Sequence, residues 1–340
     1  MVPDGYIFKQ DETRRRKDAM NNDPVKLAIL GAGGVGGFFG ALLARAGHDV
    51  TLFARGENLA AIRAHGITIR DANGSSNVPI GATDTPAELA GAEFAIVAVK
   101  SYSLAEIAPI ARQLALRGAT IVPLLNGVEA ADDLARAGVP REQILGGQTS
   151  VSAFRAAPGV IHHALWKERI VVGELNGALT ERLSRLTEAF RSADVETVAT
   201  TDIIVELWRK FNMLCAMAAA CGMARSDVGG IRDTELGYLL IQRAVAEIAA
   251  VGRAKGVPIP EAQEASIMRG IEALPATMKP SFLLDLERGG PTELDVLSGA
   301  VSRFGRETGT ATPIHDTAAA VLARRAQAAS PQPTSARSNA

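Results

Sequence analysis

The first half of the chain alternates between short, continuous apolar runs and stretches with helical spacing. The apolar runs are KLAIL (26–30), DVTLFA (49–54), FAIVAV (94–99), TIVPLL (120–125) and QILGG (143–147). Runs of this length, bounded by turn residues, are typical of strands buried on both faces. The pattern predicts an α/β domain built on an open, mostly parallel sheet.

The second half, from about Ala199 onward, has a pattern that is helical throughout. TELGYLLIQRAVAEIAAVGRAKG (234–256) carries apolar residues at three- and four-residue spacing and ends on a Lys-Gly pair, a helix C-terminal signal. In ELWRKFNMLCAMAAAC (206–221) no charge follows Lys210 for more than two turns. Lys210 therefore lies either on a solvated face or in a cleft, where a desolvated ammonium is a good proton donor.

A glycine-rich turn follows the first apolar run directly. Strand, GAGGVG (31–36), helix and second strand occupy about 30 residues, which is the dinucleotide-binding pattern. Glycines there allow a tight turn, let backbone amides approach a pyrophosphate, and let the helix pack close to the sheet. The phosphates then sit at the helix N-terminus. The predicted cofactor-binding residues of this turn are Gly31, Gly33, Gly34, Val35 and Gly36.

The end of the second apolar run indicates which dinucleotide binds. Sites that prefer NAD usually place Asp or Glu there, but here Phe53 is followed by Ala and Arg55, and Asp49 lies at the start of the run. An arginine can pair with a 2′-phosphate through charge-assisted hydrogen bonds. NADP(H) is therefore the predicted cofactor, with a solvated loop arginine as the alternative interpretation.

Two later apolar runs end in polar residues. Lys100 follows 94–99, and the pair Asn126-Gly127 follows 120–125. Ligands of open α/β sheets bind outside the carboxyl ends of the strands, so both positions could face a cofactor. Asn-Gly is also an ordinary turn signal, and spacing alone does not separate the two interpretations.

Composition limits the classes of function. At 340 residues the chain is long enough for two domains, and 36 Lys plus Arg against 37 Asp plus Glu give no indication of a nucleic-acid or polybasic membrane surface. No apolar run reaches the ~18 residues that span a bilayer. With two cysteines, Cys215 and Cys221, a disulfide framework is excluded and a cytoplasmic location is favoured.

The sequence gives little support to a metal site or to a serine hydrolase. The five histidines are scattered, and the adjacent His162 and His163 would point to opposite faces of a strand. No G-x-S-x-G nucleophile elbow occurs. We therefore expect no metal site.

Both ends of the chain differ from the rest. Residues 1–24 mix charges of both signs without an apolar signal region, so we interpret them as a disordered extension, with Met20 as an alternative start. Residues 326–340 form a polar tail rich in Pro, Ser and Ala, which we also expect to be disordered. The predicted division is a dinucleotide-binding domain at 25–198 and a helical domain at 199–325.

Taken together, the motifs resemble those of the ketopantoate reductase (2-dehydropantoate 2-reductase) family. The matching segments, from about Val25 to Leu322, are ILGAGGVGGFFG, FAR, VAVKSYS, LLNGVE, APGVIHHALWKERIVVGE, LWRKF, KPSFLLDLERGGPTELDVLSGAV and GTATPIHD. The resemblance implies a Rossmann NADP-binding domain followed by an all-helical domain like the C-terminal domain of 6-phosphogluconate dehydrogenase, with the active site between them. Family members reduce a 2-oxo acid with NADPH in pantothenate and CoA biosynthesis, and their helical halves often pair, which would allow a homodimer.

The resemblance implies a general acid and a substrate anchor. The lysine of the family's W-x-K motif, its general acid, falls on Lys210, and the glutamate of T-E-[IL]-D, which anchors the substrate and its hydroxyl, falls on Glu293. A lysine with a pKa near ~10.4 is a poor acid until burial lowers that value. Met213, Leu214 and Met217 make the flank of Lys210 apolar, while the charge of Glu293 would oppose the shift.

The family's other site residues also have counterparts here. The serine that contacts the substrate carboxylate maps to Ser281, and the asparagine near nicotinamide and substrate maps to Asn126. The lysine after the third apolar run maps to Lys100, and the arginine after the second maps to Arg55. The resemblance thus favours a cleft-facing Lys210 over a solvated one.

One departure from the family pattern concerns the substrate. The lysine helix of the family usually continues K-x-x-x-N-x-x-x-N, and both asparagines touch substrate, but here Leu214 and Ala218 occupy those positions. Asn212 lies about 200° round the helix from Lys210 and cannot replace them. Because a lost hydrogen bond costs on the order of 1–3 kcal/mol, the preferred side chain could be bulkier or less hydroxylated.

Three alternatives stay open beside 2-dehydropantoate reduction. The first is a reductase of the same family that acts on another branched or aromatic 2-oxo acid. The second is a β-hydroxyacid dehydrogenase of the 6-phosphogluconate dehydrogenase type, which would place an asparagine at position 214. The third is an NADPH-binding sensor without catalysis, which would have no use for Lys210, Ser281 and Glu293 together.

Overall fold

The computed structural model describes residues 23–164 and 168–328. Residues 1–22 of the predicted extension, Met20 among them, and residues 329–340 of the predicted tail lie outside the described residues. The last helix continues to Ala328, past the boundary predicted at 326, and the disordered tail stays a prediction.

Strands and helices alternate through the first part of the described chain, up to Ala199, and every later element is helical. The strands are β1 Lys26–Leu30, β2 Asp49–Phe53, β3 Ile67–Asp71, β4 Gly74–Val78, β5 Gly81–Thr83, β6 Phe94–Val97, β7 Thr120–Pro123, β8 Leu145–Ser150, β9 Ala153–Ala157, β10 Val160–His163, β11 Arg169–Glu174 and β12 Glu196–Ala199. The helices are α1 Gly34–Arg45, α2 Gly56–His65, α3 Leu104–Ala115, α4 Ala130–Arg136, α5 Glu181–Ser192, α6 Ile203–Ala224, α7 Val228–Arg232, α8 Glu235–Ala254, α9 Gln263–Glu272, α10 Ser281–Glu287, α11 Ser298–Thr308 and α12 Pro313–Ala328.

A parallel sheet of order β5-β2-β1-β6-β7 forms the centre of the N-terminal half. Helix α1 contributes its buried residues to the core on one face, and α3 contributes to the core on the other. Because both faces are covered, the strands are apolar at successive positions rather than at alternate ones. The predicted Rossmann-type α/β domain followed by an all-helical part is confirmed.

Two sequence predictions about the strands need correction. The runs predicted as strands to residues 99 and 125 end earlier, at Val97 and Pro123, which leaves loops that carry Lys100 and Asn126. The run predicted at 143–147 begins as strand at Leu145 and pairs antiparallel with β11 in a separate sheet of order β12-β11-β8. A further sheet of order β4-β3-β10-β9 was not predicted.

Helix α6 is the axis of the helical half. It is apolar beyond Lys210 because α8, α10 and α12 pack around it. Both cysteines, Cys215 and Cys221, are free and buried in this core. Asn212 is also buried and donates to the carbonyl oxygen of Val245 on α8 at 3.0 Å.

The division predicted between residues 198 and 199 falls within β12, and α6 begins four residues after position 199; the division stays a prediction. Among the described residues, no helix combines the length and apolarity that a membrane crossing needs.

Candidate active site

The glycine turn after β1 shows why each glycine stands where it does. Gly31 has a φ of +115°, and a Cβ there would lie 2.8 Å from the carbonyl oxygen of Ala98. A Cβ on Gly36 would overlap the Gly31 carbonyl, and one on Gly34 would overlap the carbonyl of Ala153.

Gly33 differs from the other glycines of this turn because it faces open space. It is the N-cap of α1, and nothing lies within 4 Å of a Cβ built on it. The first turn of α1, which contains Val35, therefore presents its free N–H groups beside an uncovered glycine. This arrangement is a cradle for an anion, and a side chain at position 33 would fill it.

Arg55 stands at the end of β2, immediately before α2. Its guanidinium lies over the ring of Phe53, 5.4 Å from the centroid, and pairs with Glu106 at 3.2 Å. Both partners of this ion pair are more than half exposed, at 58% and 66%. An exposed pair contributes little to stability, so Arg55 can exchange Glu106 for another anion at small cost.

Lys210 points from α6 to the N-terminal half. Its Nζ donates to the carbonyl oxygen of Thr149 on β8 at 2.8 Å. Burial lowers the pKa of Lys210 to about 8, and the negative charge of Glu293 acts in the opposite direction. Both influences expected from the sequence are therefore present, and they leave a lysine that is protonated near neutral pH but releases its proton readily.

Glu293 is buried and receives its hydrogen bonds from the N-terminal half. Its carboxylate accepts from the Ser101 amide at 3.1 Å and from Asn126 Nδ2 at 2.9 Å. Lys100 Nζ lies 3.5 Å from the same carboxylate. Glu293 precedes the short turn Leu294–Val296, but its carboxylate contacts groups of the N-terminal half rather than that turn.

Lys100 lies between two carboxylates of the helical half. Besides Glu293, it contacts Asp285 on α10 at 2.7 Å. Burial by itself lowers the pKa of Lys100, but the two carboxylates outweigh burial and the pKa is raised. Lys100 thus stays charged, and it joins the end of β6 to the helical half.

Ser281 is exposed at the first position of α10, one turn before Asp285. Since residues four apart share a helix face, Ser281 and Asp285 lie on the same side of α10. Leu214 is half-buried one turn beyond Lys210 on α6, and Ala218 is fully buried one turn further on. The face of α6 that follows Lys210 is therefore apolar.

The structure brings together Lys210, Glu293, Asn126 and Lys100 beside the carboxyl ends of β6, β7 and β8. Arg55 and Gly33 lie apart from them, at the end of β2 and the start of α1. This spread would suit an extended ligand that reaches across the edge of the sheet.

Three groups of this site were not predicted from the sequence. Asp285 could have been found from its four-residue spacing to Ser281 within one helix. The Thr149 carbonyl and the Ser101 amide act through the backbone, so no residue type marks them in the sequence.

Comparison with known proteins identifies the family. The family model for ketopantoate reductase PanE/ApbA matches residues 27–177, and the model for its C-terminal part matches residues 202–326. The chain belongs to the ketopantoate reductase family. The prediction of an oxidoreductase of this family is confirmed, and the 6-phosphogluconate dehydrogenase alternative loses its support.

Individual relatives match along almost their whole length. The chain is 33% identical over 294 residues to a 2-dehydropantoate 2-reductase of Halobacterium salinarum, covering 85% of this chain and 95% of the relative. It is 32% identical over 301 residues to the Bacillus subtilis oxidoreductase YkpB, described as uncharacterized, covering 88% and 98%.

Solved structures of similar fold include a PanE/ApbA family ketopantoate reductase of Ralstonia eutropha, with a TM-score of 0.81, 28% identity, and coverage of 90% of this chain and 99% of the other. A D-mandelate dehydrogenase solved with NADH and anilino(oxo)acetate has a TM-score of 0.82 at 21% identity, with the same coverage of both chains. At that identity the second likeness concerns the fold alone.

Proposed function

We propose that the protein reduces the keto group of a 2-oxo acid with NADPH, and that 2-dehydropantoate, which would give pantoate, is the first substrate to test. The observation that carries the proposal is the hydrogen bond from Asn126 of the N-terminal half to Glu293 of the helical half, with Lys210 near enough to Glu293 for that carboxylate to act on its pKa. The names of the relatives support the choice of substrate class. Service in pantothenate synthesis, a cytoplasmic location and a homodimer stay predictions.

The residues present fit a nicotinamide dinucleotide. The uncovered Gly33 and the free N–H groups of α1 would hold the pyrophosphate, and Arg55 would hold a 2′-phosphate. Lys100 and Asn126 stand at the strand ends where the rest of the cofactor would lie. When bound, the reduced nicotinamide supplies the hydride that the carbonyl carbon of the substrate accepts.

Lys210 supplies the proton that completes the reduction. As the carbonyl carbon gains the hydride, negative charge grows on the carbonyl oxygen, and Nζ of Lys210 delivers a proton there. A pKa of about 8 leaves the ammonium mostly protonated near neutral pH and also makes it a stronger acid than an exposed lysine. The neutral amine can keep its hydrogen bond to Thr149 until it regains a proton from solvent.

Glu293 would hold the substrate in place. The Ser101 amide, Asn126 and Lys100 fix its carboxylate, which can also accept a hydrogen bond from a substrate hydroxyl. Ser281, exposed on α10, would contact the carboxylate of the acid. Because these polar groups converge while Leu214 and Ala218 are apolar, the acid group and the side chain of the substrate would point in different directions.

A panel assay tests the proposal. NADPH oxidation is followed at 340 nm with 2-dehydropantoate and with branched and aromatic 2-oxo acids, beside isotherms for NADPH binding. Turnover of any of these acids supports the proposal, and the fastest identifies the substrate. NADPH binding without turnover of any acid would contradict it and favour the sensor alternative.

The preference for NADPH is expected to depend on Arg55. In Arg55→Ala the ratio of kcat/KM for NADPH to kcat/KM for NADH should fall about tenfold or more, because only NADPH carries the 2′-phosphate. Arg63→Ala is a matched control, since Arg63 is an exposed arginine on α2, the helix that Arg55 precedes, and is paired with Asp84 at 3.6 Å. An equal loss for both cofactors would show that Arg55 does not read the 2′-phosphate.

A second candidate substrate class follows from Leu214. The apolar face beyond Lys210 favours a 2-oxo acid whose side chain lacks a hydroxyl. The matched pair of 2-dehydropantoate and 3,3-dimethyl-2-oxobutanoate differs by that hydroxyl alone. We expect Leu214→Asn to raise the ratio of kcat/KM values in favour of 2-dehydropantoate by about tenfold, as one added hydrogen bond would. An unchanged ratio would place Leu214 away from the substrate side chain.

A further inference from the structure

The loop that follows β7 is docked on the helical half. Asn126 donates to Glu293 at 2.9 Å, and a Cβ on Gly127, whose φ is +92°, would lie 3.3 Å from the carbonyl oxygen of Val296. Val128 packs against the core of the helical half. Asn126 and Val128 thus contact the other half of the protein, and Gly127 between them lies close to it.

Glu129 ends this loop with a bidentate ion pair. Its two carboxylate oxygens accept from the two terminal nitrogens of Arg303 on α11, at 2.9 and 2.7 Å. The Glu129 side chain is only 18% exposed, and the guanidinium of Arg303 lies over the ring of Phe304, 4.8 Å from its centroid. Because the planar guanidinium makes two parallel hydrogen bonds and stacks on a ring, the pair fixes both the orientation of Arg303 relative to Glu129 and the distance between them.

The two polar contacts connect the same two segments. Asn126 and Glu129 lie three residues apart on the loop, and Glu293 and Arg303 lie ten residues apart on the segment that leads into α11. The Asn126–Glu293 hydrogen bond joins the two segments at the candidate active site, and the Glu129–Arg303 ion pair joins them outside it. Lys100–Asp285 also joins the two halves, but that pair belongs to the site itself.

We propose that Arg303 and Glu129 are positioning residues that hold Asn126 within hydrogen-bonding distance of the Glu293 carboxylate. Neither takes part in the chemistry, and both act through Asn126. The kinetic consequence rests on the proposed function, whereas the placement of the loop does not.

A double-mutant cycle tests the kinetic consequence. Arg303→Gln is expected to lower kcat/KM for the substrate found in the panel assay about tenfold, since small displacements of a positioned group are costly. In an Asn126→Ala background the same substitution should change kcat/KM less than about twofold, because the group through which Arg303 acts is gone. A tenfold loss in both backgrounds would mean a general structural role and overturn the proposal.

Two further variants supply a control and a rescue for the double-mutant cycle. Glu307→Gln is the matched control, because Glu307 is on the same helix, 3.8 Å from Arg303, but has no contact with the loop among those described. It should leave kcat/KM unchanged. The exchange Arg303→Glu with Glu129→Arg should recover part of the activity that either single change removes, because it restores the ion pair.

Hydrogen exchange tests the placement of the loop without turnover. Deuterium uptake by the peptide that spans residues 124–130 should be faster in Arg303→Gln than in the parent and in Glu307→Gln. Equal uptake in all three proteins would overturn the proposal whatever the kinetics show. If the parent reduces no 2-oxo acid, the proposed function fails while the uptake still decides the role of Arg303.

Discussion

Replacing Lys210 with alanine is expected to lower kcat for 2-oxo acid reduction about 10³-fold, the size of effect that loss of a general acid produces. KM should change much less, because the groups assigned to substrate binding, Glu293, Asn126 and Ser281, remain. The expected loss of kcat follows from the position of Lys210, a half-buried residue whose Nζ is hydrogen-bonded to Thr149 and influenced by Glu293. Steady-state NADPH oxidation with the preferred acid measures the loss.

The control for this variant is the neighbouring arginine. Arg209 lies on the same helix and pairs with Glu206 at 2.6 Å, so Arg209→Ala removes a cation without touching the Thr149 contact. It should retain nearly full kcat. Thermal unfolding of Lys210→Ala should show a folded protein, because its long side chain makes one described hydrogen bond. A Lys210→Ala protein that is folded and fully active would remove Lys210 from the mechanism.

Replacing Glu293 with glutamine is expected to lower kcat/KM about 10²-fold, since hydrogen bonds to a charged group contribute more than neutral ones. Glutamine keeps the size of the side chain but removes the charge that Asn126, Ser101 and Lys100 now contact. Asp295→Asn is the matched control, because Asp295 is an exposed carboxylate two residues away.

The same variant should change the pH dependence. Reduction requires protonated Lys210, so kcat/KM of the parent is expected to fall as pH rises through about 8. The charge of Glu293 raises the pKa of Lys210, so its removal should move this basic limb to lower pH. A limb at the same pH in parent and Glu293→Gln would show that the two groups do not interact.

Local patterns in the sequence were enough to predict the first elements of the N-terminal half. Continuous apolar runs, the glycine turn and the helical spacing between them each depend on neighbours within a few residues, so they predicted β1, α1 and β2 closely. The pattern at residues 143–147 predicted a strand of the wrong sheet. An apolar run signals burial but does not say which strand it pairs with, and β8 joins β11 in another sheet.

The candidate site divides in the same way. The glycine turn, Arg55 and the residue types at positions 100, 126, 210 and 293 were available from the sequence and from the family resemblance. Only the tertiary structure shows that the residues at positions 100, 126, 210 and 293 lie close together. Asn126 and Glu293 are 167 residues apart, and Lys210 reaches a carbonyl 61 residues away.

Only the tertiary structure showed that Asp285, Thr149 and Ser101 belong to the site. Thr149 and Ser101 act through backbone atoms, which the residue type does not indicate. The pKa of Lys210 follows the same rule. The sequence supplied a lysine among apolar residues, but the size of the shift depends on how far the packed halves exclude water from Nζ and how near they bring Glu293. Sequence pattern therefore determined which elements form and which chemical groups they carry, because those depend on near neighbours. Packing between distant segments decided which groups meet and in what charge state, because desolvation and Coulomb interactions depend on distance in space.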